Sequence, residues 1–289
     1  MRAFAFLMPI ALAAFPLAAQ EAEHQTGLRQ YGAKDYRAAA ESFRKAMQTE
    51  KAGSPAYGES ALLLGESLYL LGRFEGAIPA LKAAPHTNEG VYMLANSYLK
   101  THDIPNCVQA FAEMFGVPAA SAAAHLIAGQ MMMRQEFNEE AEAQLLQAVA
   151  LDPKLPQAHY LLGELNLFKG LLVQAAAQLK TEISINPDSA MAYYKLGDVY
   201  GRQSQWDAAI PTLQKSIWLN STNSGPYILL GKAYLRQKQF SNAEGMLRRA
   251  AQLDPRNSSA HYLLGQTLIQ EGHLEEGKAM LALSQKLKN

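Results

Sequence analysis

The chain has 289 residues, 49% of them apolar, and 26 basic side chains balanced by 26 acidic ones. That length holds one large domain or two ordinary ones, and the balance excludes the basic excess of a nucleic-acid surface. Glycine and proline are too few for a disordered or fibrous chain, and the single cysteine, Cys107, excludes an internal disulfide and a cysteine zinc site.

In chain order, the first element reads as a leader. Arg2 precedes an uninterrupted apolar stretch from Ala3 to Ala19 that contains Pro9 and Pro16, and polar residues begin at Gln20 and Glu21. A basic start, an apolar middle and small residues at the cut form a secretory signal peptide, Met1 to Ala19, with cleavage expected after Ala19. The alternative is a retained membrane anchor, which needs about 20 apolar residues; this stretch is shorter and carries two prolines. No cysteine lies near the cut, so no lipid anchor is expected. The expectation is export, to the periplasm or beyond.

From Gln20 onward the sequence repeats. HYLLGELNL at His159, YILLGKAYL at Tyr227 and HYLLGQTLI at His261 are variants of one segment. Gly129, Gly163, Gly197, Gly231 and Gly265 share one phase, followed at a constant offset by Ala141, Ala175, Ala209, Ala243 and Gly277. Pro153, Pro187 and Pro255 close their units. A fixed period of about 34 residues means stacked supersecondary units.

Within a unit, Tyr227, Leu230, Gly231 and Tyr234 fall at i, i+3, i+4 and i+7, one stripe of a helix. Phe240, Ala243, Leu247 and Ala250 make the stripe of a second. The polar turn from Arg236 to Gln239 is short, so the two helices run antiparallel. Gly231 and Ala243 lack bulk and let the backbones approach. One such hairpin cannot bury both faces and needs neighbours. Pro79 and Pro211 sit early in second helices, where a slight kink is expected.

These landmarks resemble the tetratricopeptide repeat, whose pattern is aromatic-x-x-Leu-Gly-x-x-Tyr, then Ala, a large apolar residue and Pro. The fullest copy is Tyr227, Leu230, Gly231, Tyr234, Phe240, Ala243, Leu247, Ala250, Pro255; next comes Tyr193, Leu196, Gly197, Tyr200, Trp206, Ala209, Leu213. Eight copies start near residues 20, 58, 88, 122, 156, 190, 224 and 258, filling residues 20–289. Ser54 to Tyr57 read as four extra residues after the first copy. The second copy is shortened, ending at Pro85, and the sixth has Ser221 in place of the proline. The resemblance implies an all-α, right-handed solenoid of about eight helix-turn-helix units.

Few residues suggest chemistry. Cys107 fills the small-residue slot held elsewhere by Ala39, Ala77, Ala141, Ala175, Ala209, Ala243 and Gly277, which marks it as a buried structural cysteine. His125, His159 and His261 occupy the aromatic packing position on different helices, and His24, His86, His102 and His273 lie at ends or turns, clustering with nothing. Glu139–Glu140 and Glu275–Glu276 open second helices, where acids suit the dipole. No phosphate loop, nucleophile elbow or zinc helix is present, so no cofactor, no metal and no enzymatic activity are expected.

What remains is the face of each first helix opposite its core stripe, which the resemblance implies lines a concave groove for a partner protein or peptide. Positions 5, 9 and 13 of the repeat supply it. They are Tyr92, Asn96 and Lys100; Leu126, Gln130 and Arg134; Tyr160, Glu164 and Phe168; Tyr194, Asp198 and Arg202; Ile228, Lys232 and Arg236; and Tyr262, Gln266 and Gln270. Tyrosine and arginine often dominate interface energetics, and tyrosines flanked by cations suit an extended segment with apolar anchors and acidic groups. Lys100, Arg134, Arg202 and Arg236 also sit in last turns, where cations offset the dipole without any ligand. Chaperone-tail adaptors use Lys at position 5 and Asn at position 9; Asn96 matches the second but Tyr92 replaces the first, so that role is not expected. The leading expectation is a scaffold in the cell envelope. The second is self-association, a homodimer through the C-terminal repeat, because no separate capping helix follows it.

Overall fold

The computed structural model describes residues 15–288, with side chains from residue 22 onward. Of the expected leader, residues 1–14 lie outside the described residues, while residues 15–19 form the start of the first helix. The described residues hold sixteen α-helices and no strand. They pair as α1 (Phe15–Gly32) with α2 (Tyr36–Thr49), α3 (Pro55–Leu70) with α4 (Phe74–Ala83), and α5 (Asn88–Lys100) with α6 (Ile104–Met114). Next come α7 (Ala122–Arg134) and α8 (Asn138–Leu151), then α9 (Ala158–Phe168) with α10 (Leu172–Ile185), and α11 (Ala190–Arg202) with α12 (Trp206–Leu219). The last are α13 (Ser224–Arg236) with α14 (Phe240–Leu253) and α15 (Ser258–Gln270) with α16 (Leu274–Lys286). The architecture is an all-α repeat solenoid. The described residues divide into two compact units, one up to Glu140 and one from Ala141.

Most first helices start on a short polar side chain. Ser54, Thr87, Ser121, Ser189, Asn223 and Asn257 each accept from a backbone N–H of the first turn, which satisfies a donor the helix leaves orphaned. The extra residues Ser54 to Tyr57 lie at the start of a helix and not in a loop. Ser54 is the N-cap and Pro55 opens α3, lengthening that helix by about one turn relative to its equivalents. Its partner α4 is short, with ten residues. Helices α4 and α12 both run through their prolines, Pro79 and Pro211. The turn that has Ser221 in place of proline keeps the bond of its equivalents: Asn220 Oδ1 accepts from Thr222 N at 3.0 Å, as Asp152 Oδ1 does from Lys154 N and Asp254 Oδ1 from Arg256 N.

All eight first helices end alike. The second residue of each three-residue turn is left-handed: Lys34, Gly72, His102, Glu136, Gly170, Ser204, Lys238 and Gly272. The next N–H folds back onto the helix, as in Gln239 N to Tyr234 O at 2.9 Å and Leu171 N to Asn166 O at 2.8 Å. This 6→1 bond, with the 5→2 bond inside it, reverses the chain while consuming carbonyls that would otherwise lie bare. It sets the antiparallel pairing.

Inside a pair, glycine permits the close approach. A Cβ at Gly65, Gly163, Gly197 or Gly231 would lie between 2.5 and 2.8 Å from Leu81, Leu179, Leu213 or Leu247 respectively. Between pairs, the second helix of one and the first helix of the next share the core. In residues 141–289, Ala175 and Leu179 pack with Ala192, Leu196 and Val199; Ala209 and Leu213 with Leu230; Ala243 and Leu247 with Leu264 and Leu268. In residues 1–140 the deepest side chains are Phe43, Leu99, Phe111 and Met132. Within each unit a hairpin thus completes the core of its neighbour, as the one-dimensional logic of repeats requires.

Candidate partner-binding face

First helices of successive pairs touch directly, α3 with α5 in one unit and α9, α11, α13 and α15 in series in the other. In the second unit, positions 5, 9 and 13 therefore form one continuous row. The side chains along it are not equivalent.

In residues 1–140, Tyr92, Lys100 and Arg134 are exposed and Leu126 and Gln130 half-buried. The Lys100 ammonium stands 4.6 Å from the centre of the Phe137 ring, which occupies it internally. Asn96 departs from the expected surface position: it is fully buried, and its Oδ1 accepts from Gln135 Nε2. Its amide joins α5 to the turn after α7 and does not stand in solvent. That removes the last element of likeness to a chaperone-tail clamp.

Along α9 and α11 the polar groups satisfy one another. Lys195 crosses from α11 to Glu164 on α9 at 2.8 Å, and Arg202 pairs with Asp198 one turn back at 3.0 Å. Tyr160 and Tyr194 are half-buried. Burial first, then the charge and hydrogen bond of Glu164, push the Tyr160 phenol well above its usual range. Burial also raises Tyr194, against the pull of Lys195. A Cβ at Gly225, where α13 begins, would lie 2.7 Å from the Tyr194 hydroxyl. These two tyrosines are spacers between first helices more than free anchors. Phe168 is different, 77% exposed at the end of α9, and it borders a hollow of about 350 Å³ with Lys195 and Arg202.

Along α13 and α15, Ile228 and Lys232 are half-buried, Arg236 and Gln270 exposed, and Tyr262 exposed at 44%. Gln266 donates from Nε2 to the Tyr262 hydroxyl at 2.9 Å. Lys232, Arg236 and Gln266 border a larger open pocket, of about 570 Å³.

Cys107 and five of the histidines are engaged within the fold. Cys107 is fully buried, and burial, helped by Asp103, pushes its thiol up to about 12. His159 meets Gln178 Oε1 at 2.6 Å, and His261 meets the Pro255 carbonyl at 2.9 Å. His24 differs from its expected place at a chain end. It lies inside α1, with Nδ1 2.8 Å from Ser60 Oγ, which in turn donates to the buried Glu50 at 2.9 Å. His86 pairs with Glu113, and His102 with Glu140 at 3.3 Å.

Sequence reasoning missed Glu182. It is 1% exposed, yet its carboxylate accepts from Gln157 N at 3.0 and 3.1 Å and from Tyr160 N at 3.3 Å. A side chain of α10 thereby caps α9, whose own cap position, Gln157, has no side-chain bond.

Three tetratricopeptide repeat family models match the sequence: one over residues 24–90 and 132–190, one over 191–220 and one over 234–287. The chain is a tetratricopeptide repeat protein. Among solved structures, MamA from Desulfovibrio magneticus RS-1 is similar at 22% identity and a TM-score of 0.53, over 58% of this chain and 94% of that one. YrrB, described as a tetratricopeptide repeat protein with an unusual peptide-binding site, is similar at 20% identity and a TM-score of 0.53, over 62% and 93%. At that identity the likeness is one of fold. No curated protein matches the sequence.

Proposed function

We propose that this tetratricopeptide repeat protein is a non-catalytic scaffold that holds a segment of another protein along the first-helix face of residues 141–289. The observation that carries the reading is Phe168, 77% exposed on a row that ends at the exposed Tyr262. Large aromatics standing in solvent on one continuous face are what interaction sites present. The setting we propose, outside the cytoplasm, rests on the apolar run Ala3 to Ala19 behind Arg2. The test is affinity capture from envelope extract with the chain beside a Phe168→Ala/Tyr262→Ala variant and a Trp218→Ala control on α12. A protein held by the parent and the control but lost by the double variant supports the reading. Equal capture by all three overturns it.

Self-association is the second reading. Helix α16 buries only Gly277 and Ser284, while Leu274 is 53% exposed. Light scattering after size exclusion decides it, and a monomer at tens of micromolar removes it.

A further inference from the structure

The polar groups at equivalent repeat positions change character along the row, and the change is local. On α11, positions 9 and 13 are Asp198 and Arg202, an ion pair at 3.0 Å, and the neighbouring Lys195 is neutralised by Glu164. One repeat later the acid is replaced by a second cation, giving Lys232 and Arg236, and the following turn adds Lys238. Among the described residues, none of these three lies in an ion pair, and the pocket they border contains no carboxylate. The helix dipole accounts for Arg236 at the end of α13. It does not account for Lys232, one turn earlier and half-buried, with a like charge at i+4 that works against the helix. Lys238 stands at a left-handed position, φ 61°, where the next repeat has Gly272.

Between these cations the pocket floor is apolar. Leu235, Phe240, Leu263 and Ile269 are half-buried around about 570 Å³ of open space, a volume in the range of ligand sites. Gln270 and the free amide oxygen of Gln266 stand at the rim, suited to hydrogen bonds with an extended backbone. Three cations around an apolar hollow do not match free phosphate or nucleic acid, which leave such a floor unsatisfied. They match a peptide that supplies both groups.

We propose that the pocket between α13 and α15 is the specificity site of the scaffold and recognises an acidic protein segment carrying one large apolar side chain. The apolar residue enters between Leu235, Leu263 and Ile269, and flanking carboxylates meet Lys232, Arg236 and Lys238. The inference rests on the scaffold reading, and narrows it.

The experiment is selection of a random twelve-residue display library on the full chain, followed by fluorescence anisotropy with the selected peptides made synthetically. The parent is compared with Lys232→Glu/Arg236→Glu, with Lys238→Glu, and with Phe168→Ala, each checked for unchanged helicity. The expected result is enrichment of peptides with acids around a large apolar residue. Binding weakens on the order of tenfold or more in both charge-reversed variants and falls as salt is raised, while Phe168→Ala has a smaller effect. Peptides lacking acids, or binding Lys232→Glu/Arg236→Glu as tightly as the parent, overturn the proposal; if those peptides are lost by Phe168→Ala, the general scaffold reading survives it. Displacement of the peptide by millimolar phosphate shows a charge-only site and overturns it too, as does the absence of any enriched sequence.

Discussion

Gly197 of α11 and Leu213 of α12 share a space that only a hydrogen atom fits, since a Cβ on Gly197 would lie 2.5 Å from Leu213 Cγ. The same glycine–leucine relationship recurs at Gly163 with Leu179 and at Gly231 with Leu247. Gly197→Ala is therefore expected to cost about 1–3 kcal/mol through overpacking. Leu213→Ala alone opens a cavity, costing about 2–5 kcal/mol. Because the added methyl fills part of that cavity, the double variant is expected to lose less than the sum of the two. Urea denaturation of all three variants checks it; strict additivity refutes the shared-space account.

The turns carry the opposite opportunity. Ser204 is exposed and held at φ 58°, where the equivalent positions on either side of it in the array include Gly170 and Gly272. Ser204→Gly is expected to raise stability by about 0.5–1 kcal/mol, and Gly170→Ala to lower it by about 1 kcal/mol. Hydrogen exchange of the α11–α12 amides is the suitable readout, because stability in a repeat array is local. No change in either variant means the turn geometry is not limiting.

The repeat was legible because its signal is redundant: glycine, alanine and proline recur in phase, so one irregular copy does not obscure the rest. The turns were not. Only three of eight left-handed positions are glycine, and Lys34, His102, Glu136, Ser204 and Lys238 carry no sequence mark of their conformation. The four extra residues Ser54 to Tyr57 were countable against the period, but a count does not distinguish a longer loop from a longer helix, and the structure places them at the start of α3. The face was half legible. Position numbers place side chains around a helix but not beneath a neighbour, so Asn96, Tyr160 and Tyr194 were assigned to a surface that the adjoining elements partly cover. The Asp198–Arg202 pair was available from its i, i+4 spacing, whereas Lys195–Glu164 joins two helices and emerges only from packing.

Glu182 is expected to be the most sensitive polar residue in the second unit. Among the described residues its carboxylate supplies the side-chain cap at the N-terminus of α9, and it is 1% exposed. Glu182→Ala leaves the Gln157 and Tyr160 N–H groups without their acceptor, with an expected loss of about 2–3 kcal/mol. Glu182→Gln keeps an acceptor but not the charge, and about half that loss is expected. Faster exchange of the amides at 157 and 160, with α13 to α16 unaffected, would locate the damage; a uniform loss of protection would contradict the capping role.

Cys107 links burial to pH. Its thiol is pushed from an ordinary value near 9 up to about 12, chiefly by desolvation. A raised value in an acid means that the folded state holds the proton more tightly than the unfolded one. The resulting stability is fully present below about pH 9 and is lost as pH climbs towards 12. The half-buried phenols Tyr160 and Tyr194 shift in the same direction and add to the alkaline loss. Cys107→Ala, matching the residue at Ala141 and Ala175, is therefore expected to flatten the decline of the urea midpoint between pH 9 and 11 without abolishing it. In the parent at pH 8, iodoacetamide should leave the thiol unmodified until denaturant is added. Rapid labelling of the folded chain at pH 8 would show that the α5–α6 hairpin opens readily, and would remove burial as the source of both effects.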